Sequence, residues 1–321
     1  MINMNKIDLI DKKILYELDS DARKSCREIG KKLRLSPEVV NYRIKKLEES
    51  KIIAAYTLAI NLSKLGVIQF KILLAFQHIT SNKLEKIIVK LKENKYVKWI
   101  VSSKGNWDMI ISLEAFSLKE VELIKNSVLS YFEDFVSRKS MAICTEASTF
   151  NRSYFKENSQ KNERCLVDSE KESDLDEVDI EIIKKLSSNS RKSFVDIATE
   201  LKTTARIIHY RVKQLVKNKI ITGFRLAIDY PKLEIQFYKL LVYLENPDKE
   251  RIIEYINYLK NQNNLIHYVR VIGNWDFEPE FEVYSEQEFN KILNEMKDKF
   301  SDLIKNIEII TISKEHKFVY F

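Results

Sequence analysis

The most restrictive feature of this 321-residue sequence is that it contains the same two-part unit twice. Six short motifs of the first half return in the second half, each displaced by 168 positions. The matching pairs are residues 11 and 179, 23–25 and 191–193, 42–43 and 210–211, 51–53 and 219–221, 58–60 and 226–228, and 105–108 and 273–276. Because one displacement holds along both parts of the unit, each copy is intact and the chain is a tandem duplication.

Residues 36–51 have the pattern of an amphipathic helix with a basic outer face. Ser36 can cap the first free N–H groups, and Pro37 suits the first helical position. The apolar stripe consists of Val40, Ile44 and Leu47. The opposite face carries Glu38, Tyr42, Lys45 and Lys46, with Arg43 on its flank. Such a face suits a helix that reads a DNA groove, and it is also common on ordinary surface helices.

Two more helices are predicted before this one. Residues 7–19 carry apolar side chains at helical spacing, and Ser25 with Glu28 forms a capping-box pattern that opens a second short helix. A tight turn at residues 35–37 leads into the third helix. This order predicts a helix-turn-helix unit whose last helix enters the major groove, and the second copy repeats it.

The positive charge of the chain is concentrated on these two units. The whole chain has a net charge of +7. Residues 1–65 carry 14 Lys and Arg against 9 Asp and Glu, and residues 175–233 carry 12 against 7. The rest of the chain is therefore slightly acidic. This distribution matches a phosphate-binding surface, with a solvated lysine-rich face as the alternative.

After each helix-turn-helix unit the pattern changes to strands and helices. In the first copy, strands are predicted at residues 67–76, 96–103, 107–113 and 137–145, and helices at 82–92 and 118–131. In the second copy, strands are predicted at 235–244, 265–272, 275–283 and 307–312, and helices at 249–259 and 287–300. The order βαββαβ predicts a ferredoxin-like sheet with two helices on one face.

The fold class is therefore α+β, with two copies of a winged helix-turn-helix unit followed by a ferredoxin-like βαββαβ unit, for which the family resemblance given next implies an effector and dimerisation role. The predicted domains are 1–65 and 66–150 in the first copy, a linker at 151–174, and 175–233 and 234–321 in the second copy. The linker is polar and mixed in charge, so we expect it to be flexible.

At this level of detail the sequence resembles the Lrp/AsnC (leucine-responsive/asparagine-synthesis) transcription regulators. The resemblance rests on the spacing of Asp11, Ile14, Leu15 and Leu18, on residues 23–25, on the R-I-K-K-L-E run at 43–48, and on the later Gly-x-aromatic-Asp element. There are two departures: Lys51 and Lys219 stand where the family usually has Gly, and the family usually carries one copy per chain.

The duplicated third helix supplies the candidate DNA-binding residues. They are Tyr42, Arg43, Lys45, Lys46, Arg206, Tyr210, Arg211 and Lys213. The basic side chains would contact phosphates or base edges, and the tyrosines lie at the centre of each exposed face. The copies differ at Glu38 and Arg206, and at Asn41 and His209, so we expect an operator with unequal half-sites.

The duplicated hairpin turn supplies the candidate effector residues. In the family that the sequence resembles, loops around this Gly and Asp help to form an amino-acid pocket between paired units. By that resemblance the candidates are Gly105, Asn106, Trp107, Asp108, Gly273, Asn274, Trp275 and Asp276. The alternative is a purely structural hairpin, in which Gly and Asn supply positive φ angles.

The two predicted sheets are not equivalent. One face of the strand at 275–283 carries Glu278, Glu280 and Glu282, and Pro279 within it predicts a bulge. Lys239 and Arg270 on adjacent strands are the candidate counter-charges. The alternative is that this face is solvated. Cys26 and Cys144 have apolar counterparts in the other copy, which indicates core positions, and no cysteine pattern predicts a metal site.

The sequence therefore predicts a sequence-specific DNA-binding regulator that acts on double-stranded DNA with an optional amino-acid or other small-molecule effector. We expect no catalytic residue, cofactor, metal or membrane span, a cytoplasmic, nucleoid-associated location, and an intramolecular pseudo-dimer that is able to assemble further. One alternative is a sirohaem-decarboxylase-like enzyme, for which only His267 lies on a predicted sheet strand of an effector unit. Another is a general chromatin-compacting protein that binds without regard to sequence.

Overall fold

The computed structural model describes residues 7–169, 172–245 and 247–319. The outer ends of the first and last predicted domains, two residues of the predicted linker and residue 246 lie outside these ranges.

The first copy begins with helices α1 (Leu9–Ser20), α2 (Cys26–Leu33) and α3 (Pro37–Glu49) and strand β1 (Ile53–Ile60). It continues with β2 (Ile68–Phe76), α4 (Ser81–Glu93), β3 (Val97–Lys104), β4 (Met109–Ala115), α5 (Leu118–Leu129) and β5 (Val136–Phe150). Strand β6 (Glu163–Val167) follows in the predicted linker.

The second copy has α6 (Glu177–Ser188), α7 (Phe194–Glu200), α8 (Ala205–Lys217) and β7 (Ile221–Ile228). It then has β8 (Gln236–Leu244), α9 (Lys249–Lys260), β9 (Leu265–Ile272), β10 (Glu280–Val283), α10 (Glu286–Lys299) and β11 (Ile304–Phe318). The α+β class and the two copies of a winged helix-turn-helix unit followed by βαββαβ are confirmed.

The helix starts follow the sequence signals. The Ser25 side chain accepts a hydrogen bond from the Glu28 N–H while the Glu28 carboxylate accepts one from the Ser25 N–H, which is the predicted capping box. Ser36 caps α3 through the Val39 N–H, with Pro37 in the first position. Both third helices end in a left-handed residue without glycine, because Lys51 has a φ of 56° and Lys219 a φ of 57°.

The two ferredoxin-like units share one continuous sheet. Within the part of the chain that the structure describes, the strands run in the order β2-β4-β3-β11-β8-β10-β9-β5, and β5 returns to pair with β2. This ring of strands is called the closed sheet below. Strand β5 pairs with β2 along residues 136–143 and with β9 of the other copy along 143–149. Strand β11 divides its length in the same way between β8 and β3.

This pairing makes the chain an intramolecular pseudo-dimer, as the duplication predicts. Helices α4 and α5 pack on the outside of the first copy's strands, and α9 and α10 on the outside of the second copy's strands. The inner faces of both copies contribute to one shared core, with members such as Leu73, Val101, Leu241 and Ile310.

The inner face also buries charged side chains that come from both copies. Lys71 of the first copy donates to the Glu278 carboxylate, and Lys239 contacts Glu278 at 2.5 Å and Glu280 at 2.6 Å. All four side chains are buried. Although burial opposes it, the Lys239 and Lys71 ammonium groups hold the pKa of Glu278 below its usual range. The solvated-face alternative is therefore wrong, and Lys239 is a counter-charge as predicted.

Strand β10 is shorter than the sequence pattern predicts. It spans Glu280–Val283, and the preceding Phe277 forms only isolated bridges to Val242 and Arg270. Pro279 lies in the interruption and cannot donate a backbone hydrogen bond, which explains the break. Arg270, the other predicted counter-charge, is exposed and stacks its guanidinium 5.7 Å from the Phe277 ring centroid.

The expectation of a flexible linker at residues 151–174 is wrong for the part that the structure describes. Strand β6 pairs with β5, and Leu166 and Val167 are buried. The Arg152 guanidinium forms a two-pronged contact with Glu282 at 2.8 and 3.0 Å, and its backbone N–H donates to Asp19 at 2.7 Å. A polar composition concealed these contacts because the charged side chains have buried partners.

We predict that the two halves, expressed as residues 1–169 and 170–321, pair with each other in preference to self-pairing. A pair of first halves would bury two copies of Lys71 opposite Ile110, the counterpart of Glu278, without a carboxylate. A pair of second halves would bury more carboxylates than lysines.

Light scattering on the separate and mixed halves measures this preference. The expected result is a heterodimer that displaces either homodimer, and a second half whose homodimer survives mixing would contradict it. The variant Lys119→Ala, on an exposed position of α5, is the control that leaves pairing unchanged.

Candidate nucleic-acid interface and effector turns

The third helices present the predicted faces. In α3 the residues Val40, Ile44 and Leu47 are buried, and in α8 the residues Ile208, Val212 and Leu215 are buried. On the opposite faces Tyr42 is 67% exposed and Tyr210 is 62% exposed. Two large aromatic side chains at matching positions therefore stand free of the core.

Four basic side chains accompany these tyrosines. They are Lys45, Lys46, Arg206 and Lys213, and all are exposed. None of them forms a salt bridge with another described residue, so their charges are available to a partner outside the chain. His209, the counterpart of Asn41, is exposed as well and lies edge-on to the Phe194 ring at 5.8 Å.

Arg43 and Arg211 have partners within the chain. The Arg43 guanidinium contacts Asp8 and Asp11 at 2.8 Å each, and the Arg211 guanidinium contacts Asp176 at 2.7 Å and Asp179 at 3.0 Å. These hydrogen bonds raise the pKa of Arg43 above its usual range. Each arginine therefore joins the third helix to the start of the first helix. The sequence did contain this signal, because both aspartates recur at the same displacement as the arginines.

The two helix-turn-helix units are joined to each other around a pseudo-two-fold axis. Strands β1 and β7 pair in antiparallel fashion. Ala22 N–H donates to Phe224 O and Ser190 N–H to Tyr56 O, both at 3.0 Å, and these four positions are related by the repeat. The two third helices are thus held in a fixed relation by backbone hydrogen bonds.

Residues 23–25 and 191–193 contribute a contact that sequence reasoning missed. The Arg23 guanidinium donates to Ser190 O at 2.6 Å and to Lys192 O at 3.1 Å, and the Arg191 guanidinium donates to Ala22 O at 2.7 Å. Burial lowers the pKa of Arg23, which remains a cation at neutral pH. The position of the motif at the start of the second helix gives no sign that its arginines contact the other copy.

The hairpin turns are tied into the closed sheet. The Asp108 carboxylate accepts from the Phe76 N–H at 2.7 Å, and the Asp276 carboxylate accepts from the Leu244 N–H at 2.8 Å. Trp107 and Trp275 are buried, and their indole N–H groups donate to Glu308 at 3.2 Å and to Glu278 at 2.9 Å. Most of the predicted effector side chains therefore already have partners within the chain.

The backbone angle and the available space require a glycine to different extents at positions 105 and 273. Gly105 has a φ of 118°, as the hairpin prediction requires. Gly273, Asn106 and Asn274 do not have a positive φ, so that prediction is wrong for the glycine of the second copy and for the asparagines of both copies. A Cβ atom on Gly273 would lie 3.0 Å from the Ala142 Cβ, and one on Gly105 would lie 2.7 Å from Ile309 O. Each turn rests against the long strand of the other copy, which leaves little space for a side chain.

The amides of the turns have unlike partners. Asn106 donates to Glu308 at 3.2 Å, whereas Asn274 donates to the Ser140 hydroxyl at 3.1 Å. Arg138 stacks 4.4 Å from the Trp107 ring centroid. The first turn therefore has a carboxylate and a guanidinium beside its tryptophan, whereas the amide of the second turn meets a hydroxyl group.

A cavity of about 110 Å³ lies between the two inner faces, directly beside the paired strands β1 and β7. Here called the inter-copy cavity, it is lined by Lys71, Trp99 and Ser112 from the first copy and by His267 and Glu280 from the second. His267 and Glu280 are the counterparts of Trp99 and Ser112. Burial lowers the pKa of His267 to about 3, so the imidazole is neutral at physiological pH.

Two winged helix-turn-helix units held on one closed sheet define the chain as a member of the helix-turn-helix class. Residues 7–54 match the model of the winged helix-turn-helix DNA-binding family. An uncharacterized helix-turn-helix-type transcriptional regulator of Pyrococcus furiosus is 34% identical over 126 residues, which cover 39% of this chain and 83% of that protein. The regulator LrpA of Pyrococcus horikoshii is 40% identical over 100 residues, which cover 31% of this chain and 70% of that protein. The chain belongs to the Lrp/AsnC family.

Nearly the whole chain can be aligned with a solved structure. The sirohaem decarboxylase NirDL aligns over 98% of this chain and 94% of its own, with a TM-score of 0.62 and 12% identity. At that identity the match shows a shared fold that includes both copies. Separately, none of the helices in the described ranges is long and apolar enough to cross a membrane.

We predict that Arg43→Ala lowers the free energy of unfolding by roughly 0.5–1 kcal/mol, because the partly exposed ion pairs to α1 are lost. Urea unfolding of Arg43→Ala, Asp11→Ala and the double variant measures this. The double variant is expected to lose less than the two single losses together, which is the signature of a direct contact. Lys45→Ala is the control with no intramolecular partner, and strictly additive losses would show that Arg43 does not stabilise through Asp11.

Proposed function

We propose that this chain is a sequence-specific DNA-binding transcription regulator of the Lrp/AsnC type, in which one chain supplies both reading helices of a dimer. The single observation that carries the proposal is the pair of exposed faces on α3 and α8, held in fixed relation by the β1–β7 pairing. Family membership and the names of the relatives agree with it.

The division of roles on each helix follows from the contacts. Lys45, Lys46 and Lys213 are exposed cations without intramolecular partners, so they are assigned to phosphates or base edges. Tyr42 and Tyr210 are assigned to the groove floor or its edges. Arg43 and Arg211 remain candidates for DNA contacts. Each also stabilises its own helix-turn-helix unit through its ion pair to the first helix of that unit.

The partner is double-stranded DNA, and the place of action is the cytoplasm, on the nucleoid. The Gly-Asn-Trp-Asp turns at 105–108 and 273–276 remain candidate effector residues. The proposal includes assembly beyond the pseudo-dimer, and it includes no enzymatic activity.

A second candidate is catalysis of the sirohaem-decarboxylase type, which the whole-chain match to NirDL favours. The inter-copy cavity is too small to be the site of that reaction, because its volume of about 110 Å³ is less than the roughly 150 Å³ that holds one benzene molecule. A tetrapyrrole is several times larger than benzene. A haem-type absorbance band in the purified protein would favour this enzymatic candidate over the DNA-binding regulator.

We predict that Lys45→Ala combined with Lys46→Ala weakens DNA binding and reduces the salt dependence of affinity by about one counterion for each lysine that contacts phosphate. Fluorescence anisotropy with a bound genomic fragment at several salt concentrations gives the slope. Lys119→Ala, on an exposed surface outside both helix-turn-helix units, should leave the slope unchanged. An unchanged slope in the double variant would show that Lys45 and Lys46 of α3 do not contact DNA phosphates.

We also predict that the two helices prefer different half-sites. Arg206→Glu with His209→Asn gives α8 the residues that α3 has at those positions. In a selection from random DNA, the natural chain should yield unequal half-sites and this variant more symmetrical ones, with a preference change of about 1–3 kcal/mol per altered base contact. Identical selected sequences for both proteins would show that these two positions do not read bases.

A further inference from the structure

The inter-copy cavity is lined by one carboxylate that forms no salt bridge within the described part of the chain. Glu315 of β11 accepts a hydrogen bond from the Trp99 indole N–H at 2.8 Å and forms no salt bridge with the residues that the structure describes. Glu315 is exposed to solvent and also lines the cavity, so an occupant can reach its side chain from outside. Burial raises the pKa of Glu315, although the Trp99 hydrogen bond and the Arg152 guanidinium oppose this rise.

The cations around this carboxylate are already matched by other groups. Lys71 contacts Glu278, Arg152 contacts Glu282 and Asp19, and Arg225 donates to Thr149 and Phe150 with Asp19 at 3.8 Å. His267 is neutral and adds no positive charge. Of the three carboxylates that line the cavity in the described structure, Glu280 has a salt bridge to Lys239 and Glu282 has one to Arg152, whereas Glu315 has none, so a cationic occupant would supply its counter-charge.

The remaining walls near Glu315 are aromatic and contain free hydroxyl groups. The rings of Trp99, Tyr230 and Phe237 line the cavity, and the last two lie edge to face at 5.4 Å. Aromatic faces attract cations. The hydroxyls of Ser112 and Tyr230 are buried and have no hydrogen-bond partner in the described structure, which is a costly arrangement unless an occupant supplies one.

Strand pairing within the closed sheet places these groups close to one another. Ser112 pairs with Trp99 across β3 and β4, and Trp99 donates to Glu315. Burial raises the pKa of the Tyr230 hydroxyl, and the nearby Glu315 carboxylate raises it further. A primary ammonium group has three N–H donors, which matches one carboxylate and two hydroxyl oxygens. The volume of about 110 Å³ limits the occupant to a few non-hydrogen atoms.

We propose that the inter-copy cavity binds a small organic ammonium ion, with Glu315 as its counter-charge and the Trp99 ring beside it. This site is distinct from the hairpin turns, and it does not depend on DNA binding. Thr57 of β1 and residues 225–228 of β7 form part of its wall, so the occupant contacts the strands that carry both helix-turn-helix units.

The test uses the full chain without DNA and ethylammonium chloride as the probe. Intrinsic tryptophan fluorescence and the thermal unfolding midpoint are followed during a titration, with potassium chloride at equal ionic strength and ethanol as the neutral molecule of similar size. We expect saturable binding with a dissociation constant on the order of a millimolar, as suits so small a ligand. A response that ethanol reproduces, or no response beyond potassium chloride, would overturn the proposal.

Two variants make the assignment specific. Glu315→Gln keeps the shape of the side chain and removes its charge, and it should weaken ethylammonium binding by roughly tenfold or more. Because the carboxylate has no salt bridge to lose, this variant should fold normally. Glu308→Gln, on the same strand but bonded to Trp107 outside the cavity, should keep the affinity of the natural chain. Equal loss in both variants, or no loss in Glu315→Gln, refutes the site.

Discussion

The structure depends on the way in which the long strands β5 and β11 divide their hydrogen bonds between the two copies. The first part of each strand pairs within its own copy, and the last part pairs with the other copy. A single copy would leave these last parts unpaired, with exposed N–H and C=O groups along a sheet edge. The closed sheet, the shared inner core and the fixed placement of β1 against β7 all follow from this division.

The closed sheet buries charged side chains, which costs free energy and makes the pairing of unlike copies more favourable than the pairing of like copies. Buried ion pairs rarely add much stability over apolar packing, whereas an unpaired buried charge is strongly unfavourable. Lys71 and Lys239 are neutralised by Glu278 and Glu280, which both come from the second copy. The pairing of unlike copies gives each of these four groups a neighbour of opposite charge, while the apolar residues of both inner faces pack around them.

Local features of the fold could be predicted from the sequence, and features that depend on distant partners could not. The capping box of Ser25 and Glu28 and the stripe of Val40, Ile44 and Leu47 involve residues a few positions apart, so spacing alone reveals them. The burial of Arg152 and Glu282 depends on residues 130 positions apart, which no local pattern records. Gly273 shows the same limit: its neighbour Ala142 lies in the other copy, and only the assembled sheet explains why a side chain is excluded. The DNA-binding and effector residues remain predictions.

The fusion of both copies into one chain also changes how such a protein can evolve. In a symmetric homodimer every substitution appears on both sides of the axis, so a new inner-face glutamate would be introduced as a mutually repelling couple. Here Ile110 and Glu278, or Trp99 and His267, occupy equivalent places and have diverged independently. A single codon can therefore acquire a charge on one side while the opposite side keeps the residue that accommodates it. Because both copies are encoded in one chain, each can acquire substitutions that the other lacks, which the identical subunits of a homodimer cannot do.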